Sequence, residues 1–377
     1  MTNPSRGGIL SNLRVIELGQ VLAGPFAGAV FADLGADVIK IERPEGGDDG
    51  RRMGVPFHGD DSLIFQVFNR GKQSLTLDLT TPEGLAALED LVSTADVMLH
   101  NLRPGVAEKL GIDGKSLTAR HPRLIYCELG AFGHIGPERL RPAYEPLIQA
   151  YSGLSSINGG QDDPPIRMGA SLCDQGTGMW AVIGALSLIE RRHTTGKGGI
   201  VNVSLLETGL VWAAAKLDAY MNQGQEPQRH RSGHPDFVPY EAFDAADGPF
   251  IICVGNDRLF VKLCAALDTP AWVTDPRYLT NRDRLANRQS LVDALNARLG
   301  SGTRDYWIGK LEAVGVPCAP IHTIAEAIAT PQVQALGLIQ TVPGEAFTLT
   351  GLPISFDGVR PALTSAAPKL GANTLKS

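Results

Sequence analysis

The sequence predicts an α/β chain: a doubly wound parallel sheet followed by a smaller α+β domain. Three observations predict it. Short β-branched runs alternate with helical stretches through the first 130 residues, the pattern of a parallel sheet layered with helices. A segment apolar on every face then runs from Trp180 to Ile189. Beyond it the texture changes at 223–239, where Gly, Pro, Gln, Arg and His replace any apolar period. A length of 377 residues, at about 150 per domain, agrees with two or three domains.

The elements follow in order. Arg14–Leu18 (RVIEL) reads as a strand, and Gly24–Leu34 as a helix whose Pro25 sits in the first turn, where a missing N–H costs nothing. Asp37–Glu42 (DVIKIE) and Ser74–Leu79 (SLTLDL) are the next strands. Pro82–Thr94 is a helix with Leu85, Leu88 and Val92 on one face, and Asp96–His100 and Arg123–Leu129 complete the strands. Residues 176–192 form a helix without a polar side, which marks a buried one. Ser204–Asn222 reads as one more long helix. After the 223–239 linker comes a hairpin, Tyr240–Phe243 and Phe250–Val254 around Asp247-Gly248. Helical patterns at Asp257–Leu267, Asn281–Leu299 and Arg304–Val314 follow, and the Pro/Ala/Gly-rich tail from Gly351 is expected to wrap a surface.

Composition narrows the function. With 43% hydrophobic and 20% charged residues the chain can bury a core, so disorder is excluded as its main state. The 34 basic and 40 acidic residues leave −6, which argues against a nucleic-acid partner. The apolar-rich uncharged stretches Leu18–Ala32 and Gln175–Ile189 reach 15 residues, short of the ~20 that span a bilayer; no membrane is expected. Met1–Ser11 lacks the apolar run of a secretory signal. Five scattered cysteines without Cys-x-x-Cys read as reduced thiols in a cytoplasmic protein.

The usual nucleotide signatures are missing: no G-x-x-x-x-G-K-[ST], and no G-x-G-x-x-G after the first strand. Small residues Ala23, Gly24, Ala27, Gly28 and Ala29 would admit a ligand or close helix–sheet packing, and spacing does not choose between them. No histidine pair has ligand spacing, since Gly233 and Pro235 deny His230 and His234 a helix, so no metal is expected. The hydrolase motif G-x-S-x-G is absent. Asp174 stands where the apolar helix begins. It reads either as an N-cap or as a carboxylate kept ionised by the helix end, with glycines beside it making room for a substrate and a covalent bond.

Several segments then carry a resemblance: VLAGPFAGAVFADLGADVIKIERPEGGD (Val21–Asp48), NRGKQSLTLDL (Asn69–Leu79), ADVMLHNLRPGVAEKLGI (Ala95–Ile112), PRLIYCELGAFGHIGP (Pro122–Pro137), RPAYEPLIQAYSGL (Arg141–Leu154), TTGKGGIVNVSLLE (Thr194–Glu207) and GHPDFVPYEAFDAADGPFIICVGND (Gly233–Asp257). In order along nearly the whole chain, they resemble the class III CoA-transferases and their racemase relatives. The resemblance implies a Rossmann-like large domain over 1–203, a linker helix at 204–224, a small α+β domain at 225–325, and a return segment at 326–377. Each chain would be a ring, and two rings would interlock as a homodimer, with the site between the large domain of one and the small domain of the other.

The resemblance also implies chemistry. The racemase branch carries Gly-His-Asp where this chain has Arg141-Pro142-Ala143-Tyr144-Glu145-Pro146, which favours the transferases; an acyl-CoA racemase is the alternative, and a non-catalytic CoA-binding protein a third reading. Asp174 would be the nucleophile, with Tyr144 and Glu145 near the reacting centre and Tyr144 either an oxyanion donor or a core tyrosine. Val21, Arg43, Leu77, Asn101, Leu102, Val106 and Lys109 would hold coenzyme A, a substrate here, with no permanently bound cofactor. Formyl-CoA transferases have Gln where this chain has Leu22, and a glycine run where it has Arg229–His234. That basic loop disfavours formate and oxalate and points to a dicarboxylate, with Arg51, Arg52, Arg70, Arg231 and His234 as carboxylate clamps.

Overall fold

A computed structural model describes residues 7–373; the start of the Met1–Ser11 stretch and the last four residues of the tail lie outside them. The chain divides into two compact units, Met1–Ser155 with Arg167–Gln223 and Gln332–Ser377, and Ser156–Ile166 with Gly224–Pro331.

In the first unit the elements that build the site are β1 (Arg14–Leu18), α1 (Ala23–Asp33), β2 (Asp37–Glu42), β3 (Gln73–Thr76), α2 (Pro82–Ser93), β4 (Val97–His100), β5 (Ile125–Gly130), α3 (Glu145–Tyr151), α4 (Leu172–Thr195), β6 (Gly199–Ser204), α5 (Leu205–Trp212) and α6 (Ala214–Gln223). The six strands form one sheet in the order β3-β2-β1-β4-β5-β6, and every neighbouring pair is parallel. That is the order of doubly wound nucleotide-binding sheets, in which β1 and β4 flank the point where the winding reverses. Val15, Val38, Val97, Leu99 and Ile125 pack with α1 and α4 on one face. Ile16, Ile41, Leu75, Met98 and Tyr126 pack with α2 on the other.

Three elements differ from expectation. The apolar helix starts at Leu172 and buries a stripe through Ala181, Val182 and Ala185, while Met179, Trp180 and Ile183 are exposed. It is long and apolar enough to cross a membrane, yet that stripe is packed into the sheet core. The Ser204–Asn222 helix is two helices, and the break at Ala213 has its N–H shared between Gly209 and Leu210 carbonyls. Strand β6 went unread because Gly198-Gly199 and Asn202 interrupt its apolar run.

The second unit holds β7 (Tyr240–Ala245), β8 (Gly248–Cys253), α7 (Asp257–Ala266), α8 (Asn281–Ala286), α9 (Arg288–Leu299), α10 (Arg304–Ala313) and β9 (Cys318–Pro320). The hairpin pairs Ala245 with Gly248, and β9 adds a third antiparallel strand. The Asn281–Leu299 pattern breaks at Asn287, whose side-chain amide donates to the carbonyls of Asp283 and Arg277. Phe243, Phe250, Leu263, Leu295 and Trp307 form a separate core. The chain returns to the first unit at Gln332. Its irregular tail is held there by Arg51 on the Pro368 carbonyl and by Gly371 and Asn373 on Ser74.

Candidate active site

Ligands of open parallel sheets bind outside the carboxyl ends of the strands, where the winding reverses. Here the turn after β1 (Gly19–Leu22) and the segment after β4 (Asn101–Gly105) face each other there. Three cavities share Gln20 and Leu102 along this edge. One of about 560 Å³ lies over the ends of β2 and β3, lined by Arg43, Asp48, Leu77 and Val106 among others. A second of about 360 Å³ reaches Asn101 and Arg103. A third of about 460 Å³ continues past Val21, Leu22 and Ala131 to Tyr144, Glu145 and Asp174. The edge therefore carries neighbouring hollows with shared walls, from Arg43 to Asp174.

Asp174 is the third residue of α4 and caps nothing: the N-cap is Ser171, and no side-chain cap bond is made. Among the described residues no hydrogen bond or ion pair reaches its carboxylate. Burial first, and the nearby Glu145 charge second, push its pKa from 3.8 up to about 7. The helix end thus does not keep this carboxyl in the ordinary carboxylate range, because desolvation and a like charge raise it. Gly176 and Gly178 do not make room for substrate either. A Cβ at Gly176 would meet Thr208 at 2.7 Å, and one at Gly178 the Ala23 carbonyl at 2.8 Å, so these glycines let α5 and α1 approach α4.

Glu145 opens α3 and is buried. One oxygen accepts from the Gln149 amide at 2.6 Å and the Cys173 N–H at 3.4 Å. The other is buried without a hydrogen-bond partner, 4.0 Å from the Arg167 guanidinium. Tyr144 is 67% exposed beside it, so it is not a core tyrosine. The first turn of α1, with no side-chain cap, lines the same cavity through Leu22 and Ala23.

CoA-transferase family III matches residues 10–374. The acetyl-CoA:oxalate CoA-transferase of Acetobacter aceti is 38% identical over 98% of this chain and 95% of that one. The succinate–glutarate CoA-transferase of Agrobacterium fabrum is 37% identical over 98% and 94%. A crystal structure of a CaiB/BaiF family protein from Brucella suis superposes with a TM-score of 0.88 at 37% identity, covering 97% of both chains. This chain is a class III CoA-transferase.

In this CoA-transferase the residues named from sequence fall into three groups. Asp174, Tyr144, Glu145, Val21, Asn101 and Leu102 line the cavity that ends at the nucleophile candidate, and Arg43, Leu77 and Val106 line the rest of the hollow. Lys109 points elsewhere, exposed on a short helix and outside all three cavities. Among the clamp candidates Arg51 and Arg70 are corrected: both are buried. Arg51 donates to Glu42, to Asp61 and to the Pro368 carbonyl, leaving it no donor for substrate, and Arg70 is buried against Asp33 and the Val67 carbonyl. Arg52 is held on the Gly46 carbonyl. In the second unit Arg231 pairs with Asp163 at 3.9 Å, and His234 stacks on Phe237 and Tyr240.

Sequence reasoning missed Gln20, Arg103 and Leu147 of the cavity lining, and the ion network beneath it. Glu17 and Lys40 are register partners in β1 and β2, both wholly buried and 2.9 Å apart. Charges inside otherwise apolar strand runs were the available signal.

Proposed function

We propose that this CoA-transferase moves CoA from an acyl-CoA to a carboxylic acid, with Asp174 as covalent nucleophile. The observation that carries the reading is Asp174 itself: a largely buried carboxylate with no hydrogen-bond or ion-pair partner among the described residues, lining the cavity shared with Val21, Asn101 and Tyr144. Its carboxylate attacks the thioester carbonyl, the C–S bond breaks, and a mixed anhydride and CoA thiolate result. The thiolate then attacks the aspartyl carbonyl, releasing the first acid and leaving an aspartyl-CoA thioester. The incoming carboxylate attacks that thioester, breaking its C–S bond to give a second mixed anhydride and thiolate; the thiolate then attacks the new acyl carbonyl, forming the product thioester and releasing the Asp174 carboxylate. Each intermediate keeps the activation of the thioester, so the site must exclude water. Tyr144 and the uncapped first turn of α1 supply donors for the oxyanions.

A dicarboxylate on at least one side is supported by the succinate–glutarate relative. Oxalate, disfavoured from the Arg229–His234 loop, returns as a candidate because the acetyl-CoA:oxalate enzyme is equally similar. The reading includes a Rossmann-like CoA-binding domain, supported by the strand order, and a return segment that completes a ring. It also includes an interlocked homodimer, supported by the exposed Met179, Trp180, Ile183, Val211, Trp212 and Met221 on α4 to α6, an apolar surface that a second copy would cover. A cytoplasmic location agrees with five free cysteines.

Incubation with succinyl-CoA and a panel of acids, read by mass spectrometry for new CoA esters, tests the activity. Hydroxylamine trapping at Asp174 in the same run tests the intermediate. Turnover by Asp174→Asn at the wild-type rate would overturn the assignment.

A further inference from the structure

The turn Gly19–Val21, whose Gln20 lines all three cavities, is held at four consecutive backbone groups. The Gly19 carbonyl accepts from Lys40 Nζ at 2.6 Å. The Gln20 N–H donates to Asn101 Oδ1 at 2.7 Å, and the Gln20 carbonyl accepts from Asn101 Nδ2 at 2.9 Å. The Val21 N–H donates to Asp48 Oδ1 at 2.9 Å. Val21 needs this, for its φ is 64°. A β-branched residue there is an outlier that persists only where its surroundings over-determine it. Among the described non-glycine residues with positive φ, the others are Arg231, Asp268 and Asp357; none is β-branched.

Asp48 is itself braced. It is 2% exposed, accepts from Gly50 N–H at 2.8 Å, and pairs with Lys40 at 2.9 Å. Lys40 pairs with Glu17, which pairs with Lys72 at 2.6 Å. Gly28 of α1 makes room for that pair, since a Cβ there would lie 1.8 Å from Glu17 Oε2. Burial works against the charged form of Asp48, but Lys40 and the two N–H donors hold its carboxyl below the usual range.

We infer that Asp48, braced by Lys40, is a positioning residue for acyl-CoA binding: it holds Val21 in the left-handed conformation that shapes the CoA channel. Asn101, by the same geometry, acts on the channel through Gln20, whose N–H and carbonyl its amide group pairs with. The inference rests on the hollow being the CoA channel.

The test is a double-mutant cycle on the full-length enzyme: wild type, Asp48→Asn, Val21→Gly and both together, read by CoA titration calorimetry, donor KM and kcat, and melting temperature. Asp48→Asn keeps an acceptor for the Val21 N–H but removes the charge that Lys40 pairs with; it should weaken CoA and raise donor KM about tenfold, the order of a charge-assisted hydrogen bond reduced to a neutral one, with kcat at saturating donor changed far less. In the Val21→Gly background the same change should cost less than about twofold, because glycine takes positive φ unaided. Val21→Pro sets φ near −65° and also removes the N–H that Asp48 accepts, while leaving the Lys40–Asp48 ion pair in place; it should weaken CoA at least as much, and it decides the matter if Asp48→Asn does not fold. Unchanged CoA affinity in Asp48→Asn, equal losses in both backgrounds, or unchanged affinity in Val21→Pro would each overturn the inference. A wild type that binds no CoA would overturn the channel reading, and the inference with it, before any variant is made.

Discussion

Glu145→Gln isolates the electrostatics of the proposed nucleophile. The substitution removes one negative charge while its remaining carbonyl oxygen can still accept from Gln149 and Cys173. Asp174 rises from 3.8 to about 7, with burial the larger cause and Glu145 the smaller. Of that rise of about three pH units, the Glu145 share is therefore less than half, on the order of one unit or ~1.4 kcal/mol. Asp174 attacks as a carboxylate, so kcat/KM for the acyl-CoA donor should climb with pH and level off above about 7 in the wild type. In Glu145→Gln the climb should be centred about one unit lower, which at pH 6 raises the ionised fraction roughly fivefold. The plateau height also reports any loss of positioning; the midpoint reports the charge. The assay is initial-rate kinetics at saturating acceptor from pH 5 to 9 at constant ionic strength. A midpoint that stays put or moves up refutes the electrostatic account, and a fall into the ordinary carboxylate range refutes the leading role of burial.

The same carboxyl makes a stability prediction. A folded-state pKa above the unfolded value means the folded protein holds its proton longer, so stability is greatest in acid and declines between about pH 4 and 7. Asp174→Asn should thus be more heat-stable than wild type at pH 8, by on the order of 2–3 kcal/mol once residual solvation is allowed for, and equal to it near pH 4; thermal melts at the two pH values decide. Gly178→Ala should destabilise by roughly 1–3 kcal/mol in urea titration, because its Cβ would press on the backbone of α1. Arg51→Met should cost about 3–5 kcal/mol by stranding buried Glu42, whereas Arg52→Met, at the surface, should stay within about 0.5 kcal/mol; comparable losses in both would contradict the structural role given to Arg51.

Five of the six strands of the parallel sheet are legible in the sequence, because parallel strands buried on both faces read as largely apolar runs. Their winding order is not, since pairing is set by which helix covers which face. Asp174 was visible as a residue but not in its role. The sequence left N-cap and nucleophile both open, and the choice depends on the helix starting at Leu172, two residues before it. Clamp arginines could not be told apart by spacing. Arg51 and Arg70 reach carboxylates 9 and 37 residues away in the chain, distances at which local patterns carry nothing.

What the sequence determined by itself was the alternation of elements, the apolar run of α4, and an ordered series of segments sufficient to assign the family. These are properties of neighbours along the chain, where periodicity and propensity act. What only the tertiary structure decided was which charges are spent and which are free. Glu17 and Lys40, register partners, are drawn with Asp48 and Lys72 into one buried network, while Asp174 has a like charge beside it and, among the described residues, no ion-pair partner. Charge cost depends on burial and on partners brought from far along the chain, so it exists only once the sheet has closed over them.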